Sequence, residues 1–242
     1  MSSTVVHPLR DAYAGAQLRD PQGRPLLLTG GSVITANPSM GDWQSADVLI
    51  HGSVIVGVGP GLLTAAEDDN MIVIDCAGAV VLPAAADFAS PAPAATLSPG
   101  EPADIAVLRI TDAPGTLQGA VPSRGSHLAL LFIGGRLHLH NDHAPDTTAA
   151  SPSPAVSSPA ASSPAADHPH LGTWVDESGF IHQELRPDGR YDEARGDRRS
   201  AYRGRYWIDG TRIDYLDDLG FWAFGEFRDG VLHHAGYRFT RR

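Results

Sequence analysis

Three groups of side chains in this 242-residue chain have the types and spacing for chemistry. In HLHNDH, His138 and His140 alternate as on one strand face, with Asp142 and His143 just beyond. Three imidazoles and a carboxylate match the ligand preference of zinc. His143, however, opens a stretch with nothing rigid to orient ligands, so the expectation is solvated strand-end histidines and no metal centre. The second group is Asp217-Asp218 with His233. Adjacent strand residues point to opposite faces, so the two acids cannot share a proton unless the backbone turns. Asp218 reads as initiating a turn before Leu219-Gly220. Asp217 continues the inward parity of Tyr215, which makes it the candidate ligand contact or tuned acid. Of His233-His234, the first is expected inside and the second outside. The third group is aromatic: Trp174, Tyr191, Tyr202, Tyr206, Tyr215, Phe221 and Tyr237. A tyrosine has an apolar body and a hydroxyl that needs a partner, which suits the wall of a small-ligand cavity. Equally, these rings can fill a barrel with their hydroxyls at its ends.

The elements that must position these groups are set by glycine and proline. Before residue 144, short Val- and Ile-rich runs (26–28, 33–35, 48–58, 71–75, 104–110 and 128–139) are punctuated by Gly and Pro, which predicts strands and turns. Residues 144–170, APDTTAASPSPAVSSPAASSPAADHPH, contain too few large apolar side chains to bury anything and read as a disordered linker. Its prolines favour extended conformations, so it can span up to roughly 80 Å at about 3 Å per residue. Beyond it, Pro187-Asp188-Gly189, Asp209-Gly210 and Asp229-Gly230 separate alternating segments and predict hairpins of an antiparallel meander. Alternation places Tyr202, Gly204, Tyr206 and Ile208 inward and Arg203, Arg205 and Trp207 outward. Ile213 and Tyr215 then face inward, and Val231, His233, Ala235, Tyr237 and Phe239 share one face.

Composition excludes several function classes. The formal net charge is −10, and every basic residue is arginine. The absence of lysine, with abundant alanine, points to coding from a GC-rich genome. No basic stripe is dense enough to release counterions from a polyanion, so neither nucleic acid nor an anionic membrane is an expected partner. The single cysteine, Cys76, lies in the apolar run IVIDCAGAVVL and reads as a small buried thiol. The start, MSSTVVHPLRDAYAG, lacks a signal-peptide pattern, and no segment reaches membrane-spanning length. A cytoplasmic protein is expected.

The run LLLTGGSVITANPSMGDWQSADVLIHGSVIVGVGP resembles the opening β-hairpins of the metal-dependent amidohydrolase superfamily. The resemblance implies a small composite β-sandwich that in the family leads, through hydrophobic-Pro-Gly-hydrophobic-hydrophobic-Asp-x-His-x-His, into a metal-bearing (β/α)8 barrel. Here the corresponding stretch is VLPAAADFASP, with Pro83 and Asp87 in register but Ala89 and Pro91 where the histidines would stand. The text then resumes as LSPGEPADIAVLRI and LALLFIGGRLHLH, similar to the strands that complete the sandwich after the barrel. The resemblance covers roughly residues 25–140 and implies a sandwich without its TIM barrel. Without a metal to acidify water and a group to manage its proton, such hydrolysis has no apparatus.

The C-terminal segment opens LGTWVDESGFIHQEL, and its Gly172-x-Trp174 resembles the first strand of lipocalin- and streptavidin-type barrels. That resemblance implies an indole closing one end of the barrel, covered by Arg238, Arg241 or Arg242 through cation–π packing. The run QELRPDGRYDEARGDRRSAYRGRYWIDGTRIDYLDDLGFWAFGEF resembles the small bacterial Atu4866 family of streptavidin-like barrels. Its motifs fall on Gly189 to Gly196 and on Tyr215, Asp217, Asp218, Gly220 and Phe221. The resemblance implies a fold and a cavity.

The fold class expected is therefore all-β. It comprises an extension (1–24), a truncated amidohydrolase-like sandwich (25–143), a linker (144–170) and an antiparallel streptavidin-like barrel (171–242). The leading functional expectation is non-catalytic binding of an unknown small molecule in the barrel. The expected contacts are Trp174, Tyr191, Tyr202, Tyr206, Tyr215, Asp217, Asp218, Phe221, His233 and Tyr237, with no catalytic residue, metal or cofactor. One alternative is a natural-product cyclase or isomerase using Asp217 and His233 as general acid and base. Another is a scaffold that self-associates through either β module.

Overall fold

A computed structural model describes residues 6–9, 23–65, 69–84, 95–110, 126–138 and 168–242. The chain divides into two compact units, 1–157 and 158–242. Among its described residues, the first holds strands β1 (Val6–Pro8), β2 (Leu26–Val33), β3 (Trp43–His51), β4 (Val54–Gly59), β5 (Ile72–Asp75), β6 (Ala79–Pro83), β7 (Ile105–Ile110), β8 (Ser126–Ile133) and β9 (Arg136–His138), with a 3-10 turn at Leu62–Ala65. The runs at 26–28 and 33–35 thus contribute to one long strand, and the run at 48–58 is a hairpin bent at Gly52 rather than one strand.

Strand β2 changes its parallel partner along its length. Its first half, Leu26 to Thr29, runs parallel to β5, and its second half, Ser32 and Val33, runs parallel to β6. The switch occurs at Gly30 and Gly31, inside a bulge against β3. Gly30 has φ +74°, and a Cβ on Gly31 would meet both Cys76 Cβ and Val81 Cγ2 at 3.1 Å. Asp47 secures this point: its carboxylate accepts the Thr29 hydroxyl at 2.7 Å and the backbone N–H of Gly30 at 3.3 Å. β1 adds a parallel strand beside β5, and the other strands pair antiparallel as β2–β3–β4 and β6–β7–β8–β9. Alternate residues Leu26, Leu28, Val48, Ile50, Ile72, Ile74, Ile105, Val107, Leu130 and Phe132 form the core. Val80, Leu82 and Ala106 on the opposite side of their strands, together with Ile34, fill a smaller cluster. Burial on both faces is why these strands read as continuous Val/Ile runs. β6 ends at Pro83, paired with Ile105 of β7. Asp87, Ala89 and Pro91 lie outside the described residues.

The second unit is a closed barrel of eight antiparallel strands: β10 (Gly172–Asp176), β11 (Ile181–Leu185), β12 (Arg190–Arg195), β13 (Arg198–Asp209), β14 (Arg212–Asp217), β15 (Trp222–Arg228), β16 (Val231–His234) and β17 (Tyr237–Arg241). Each pairs with the next, and β10 closes on β17 through Trp174, Val175 and Asp176 against Arg241, Thr240 and Phe239. The predicted hairpins form, with the second turn at Gly210 and Thr211, one residue beyond the expected pair. A further two-residue turn, Ala235-Gly236, has φ of 49° and 88°. This is the mirror-image geometry that suits the twist of paired strands. Among the described residues, no helix is long and apolar enough to cross a membrane.

Candidate functional site

The barrel interior contains a polar core that alternation assembles from four strands. On β11, Ile181, Gln183 and Leu185 face inward, and on β12, Tyr191, Glu193 and Arg195 do so. Tyr202 and Tyr206 project inward from β13, and Ile213, Tyr215 and Asp217 from β14. As expected, Arg203 and Arg205 are exposed. Gly204 is required for the register between these two strands, because a Cβ there would lie 2.2 Å from the Leu216 carbonyl and 2.7 Å from Asp217 Cα.

These side chains bond mainly to one another. The Tyr215 hydroxyl donates to Gln183 Oε1 at 2.8 Å, and the Gln183 amide donates to Glu193 Oε2 at 3.0 Å. The other Glu193 oxygen accepts from Arg195 Nε at 2.8 Å. The Arg195 guanidinium lies 5.0 Å over the Tyr202 ring, and that ring meets Phe221 edge-on at 5.9 Å. Beside this chain, Tyr191 donates to Asp217 Oδ2 at 2.6 Å while its ring packs against Tyr215 in a T-shape at 5.1 Å. Gln183, Glu193 and Arg195 are at most 7% exposed. Among the described residues, no buried side-chain nitrogen or oxygen lacks a hydrogen-bond partner.

Burial and neighbouring charge set the protonation of this core. Desolvation pushes the Tyr191 hydroxyl far up, with Asp217 adding to the shift, and desolvation likewise raises Tyr215 well above the ordinary range. Asp217 is also raised by desolvation, against the opposing pull of the Tyr191 hydroxyl and the backbone N–H groups of Leu219 and Arg203. Those bonds, at 2.8 Å from Leu219 and 3.1 Å from Arg203, make Asp217 the residue that initiates the 218–220 turn. The sequence reading gave that task to Asp218. Asp218 instead points outward into a bidentate pair with Arg190 at 2.7 and 3.1 Å, which lowers its pKa.

Three expectations change. His233 lies on the outer face, opposite Glu226 and Arg238, and His234 takes the inward position, its ring 4.7 Å from that of Tyr215 and Nδ1 2.7 Å from the Phe224 carbonyl. The sequence reading carried one parity from Val231 to Phe239, but the Ala235-Gly236 turn reverses it, so Leu232 and Phe239 are the buried positions. This separates His233 from Asp217 and removes the acid–base pair of the enzyme alternative. Secondly, Trp174 is met by Phe227 at 5.2 Å and by His170 at 6.2 Å between centroids, while Arg241 bonds the Pro169 carbonyl at 2.6 Å and Arg238 pairs with Glu177. Thirdly, residues 168–170, read as linker, pack on the barrel: the Trp174 indole N–H donates to the His170 carbonyl at 2.8 Å, and the His170 ring stacks on Phe227 at 3.7 Å.

The structure thus brings Tyr191, Tyr202, Tyr215, Asp217 and Phe221 together in one cluster. Trp174 sits in a second, with Phe227 and His170. Tyr206 is buried, with its hydroxyl on the Arg186 carbonyl at 2.5 Å, as the core-filling reading expects. Tyr237 is half-buried beside Phe239. Sequence reasoning missed Gln183, Glu193 and Arg195, although carrying the parity of Tyr191 along β12, and of Trp174 across to its partner Gln183, finds all three. His138 is exposed at the end of β9, whereas His140, Asp142 and His143 lie outside the described residues. Among the described residues, no cluster of three or more His, Cys, Asp or Glu is placed to hold a metal ion.

Comparison with known proteins divides the chain in the same way. A triazine hydrolase from Arthobacter aurescens is 34% identical over 25% of this chain and 13% of its own, with a TM-score of 0.23. A variant of triazine hydrolase is 32% identical over 26% of this chain and 14% of its own, again at 0.23. Both correspond to the N-terminal part, so the chain spans about one-seventh of these hydrolases. No curated protein matches the chain. The solution structure of protein Atu4866 from Agrobacterium tumefaciens is 55% identical over 31% of this chain and 96% of its own, with a TM-score of 0.29. The family model described as Agrobacterium tumefaciens protein Atu4866 matches residues 167–241, and through this barrel the chain belongs to the Atu4866 family.

Proposed function

We propose that the barrel binds a small polar organic molecule without transforming it, and that the N-terminal sandwich is a non-catalytic accessory module derived from an amidohydrolase. The observation carrying this reading is the composition of the barrel interior. Glu193, Arg195, Gln183, Asp217 and three tyrosine hydroxyls occupy a space that Leu, Ile and Phe could fill. Withdrawing an ion from water costs several kcal/mol even after relaxation, and replacing a buried pair by apolar groups is often neutral or stabilising. An eight-stranded barrel is wide enough to be filled by side chains or to hold one small ligand. Exchangeable hydrogen bonds at Tyr215, Gln183 and Tyr191 would let a ligand with matched donors and acceptors substitute for internal partners, with the aromatic rings supplying apolar contact. The accessory reading of the sandwich rests on Ala89 and Pro91 at the positions of the family's first two metal-binding histidines.

The test is native mass spectrometry of the freshly purified full-length protein, followed by thermal-shift measurements with a panel of polar metabolites. A copurified adduct, or a metabolite whose stabilisation is weakened by Tyr215→Phe, supports binding. At a concentration 100 times its Kd, such a ligand would stabilise the barrel by about 2.7 kcal/mol. An unliganded mass together with no stabilisation across the panel would overturn the proposal.

A further inference from the structure

The segment entering the barrel packs on its Trp174 side through two imidazoles, one of which must keep a lone pair at Nδ1 for the contact to form. The His170 ring lies flat on Phe227, with centroids 3.7 Å apart and planes 7° from parallel. Its carbonyl caps the Trp174 indole N–H, and its backbone N–H donates to His168 Nδ1 at 3.3 Å. That last bond requires Nδ1 of His168 to carry a lone pair, which a protonated ring lacks. The two imidazoles are 5.2 Å apart, and Arg241 reaches across from β17 to the Pro169 carbonyl at 2.6 Å. Among the described residues, the charged or titratable groups that act on His170 are His168 and Arg241, both cationic when charged. Arg241 comes from β17 and His168 from the segment itself, while β15 and β10 offer the rings of Phe227 and Trp174. Glu226 and Arg228 flank Phe227 in sequence, and alternation directs them to the opposite face, where they pair with each other.

We propose that His168-Pro169-His170 is a proton-released latch, closed over the Trp174 side of the barrel near neutral pH and detached when His170 is charged. Protonating His170 places a new positive charge beside the Arg241 guanidinium, in a segment held to the barrel by its ring stack and backbone caps. The equilibrium has the matching sign. Desolvation, then His168 and Arg241, hold the His170 pKa below its ordinary 6.5. A detached latch therefore binds more protons than a closed one between that lowered value and 6.5, and closure weakens as pH falls through this window. Closure is fully present above about pH 6.5. The inference is independent of whether the interior takes a ligand.

The full-length protein is followed by NMR from about pH 7.5 to pH 4.5, a range bracketing the histidine titration, with the Trp174 indole N–H assigned through Trp174→Phe. The expected result is that the His170 ring titrates below 6.5 and the indole N–H loses exchange protection with the same midpoint. Protection should fall about tenfold for each unit by which the His170 pKa lies below its ordinary value. The Gln183 side-chain amide signals, deep in the barrel, should persist and separate latch release from unfolding. In His170→Phe, which keeps a ring on Phe227 but cannot be charged, indole protection should lose its dependence on the His170 titration. An indole N–H unchanged across the range, or the same response in His170→Phe, would overturn the latch. If that variant does not fold, failure of His170 and the indole to titrate together in the parent protein overturns it equally.

Discussion

The two units differ in what their buried polar groups do. In the N-terminal sandwich the core is apolar, and the buried carboxylate Asp47 receives the N–H groups of Gly30 and Leu63 and the Thr29 hydroxyl at the point where β2 changes partner. In the barrel, Asp176 and Asp217 also receive backbone N–H groups, but Tyr215, Gln183, Glu193 and Arg195 bond to one another in a chain through the interior. A polar group that satisfies backbone is explained by the fold. A polar group that satisfies another side chain has no such explanation, since both could be replaced together. That contrast is what supports the proposal that the barrel carries the function.

The sharpest break of this comparison is Glu193→Ala, which removes the acceptor of Arg195 Nε and of the Gln183 amide and should cost about 3–5 kcal/mol. Denaturant unfolding with hydrogen exchange to identify the barrel transition measures it. Glu193→Leu with Arg195→Met should recover most of that loss, whereas no paired exchange of Asp47 is expected to do so. Next, Tyr215→Phe leaves Gln183 Oε1 without its donor and should cost about 1–3 kcal/mol, read by the same transition. Asp47→Ala should fall in that range but report on the sandwich, with protection lost at Gly30 and Leu63. The surface pair contrasts with both: Asp218→Ala removes the Arg190 contact and should change stability by under about 1 kcal/mol, less at high salt. The smallest effect concerns Cys76, fully buried and pushed up to about 12 by desolvation and by Asp75 and Asp47. Its thiol should not react with a thiol reagent at pH 8 in the folded protein and should react in denaturant.

Much of the fold was legible because its signals are local. The Asp-Gly turns, the Val/Ile runs and the inward tyrosines of β13 and β14 each depend on neighbours a few residues away. What failed depended on single-residue shifts. One unrecognised turn at Ala235-Gly236 exchanged His233 for His234, because strand parity is binary and a missed reversal inverts everything beyond it. Glu193 and Arg195 were passed over because charged residues on a strand are normally assigned to solvent. The same bias left His168 and His170 in the linker, whose Ala/Ser/Pro composition gives no sign that a stacked ring and two carbonyl caps await them.

The pairing of Pro83 with Ile105, and the bond from Ala84 N–H to the Asp104 carbonyl, put the end of β6 and the start of β7 side by side. Whatever chain length lies between these two points, it must leave and return at neighbouring positions on one sheet. Loop-closure entropy grows only logarithmically, by about 0.6 kcal/mol per doubling of length. A sheet built this way is indifferent to whether a short segment or an entire folded domain joins the two strands. A folded body inserted or removed at this junction therefore need not disturb the hydrogen bonds between β6 and β7, so the stability of this sheet is decoupled from whatever joins them.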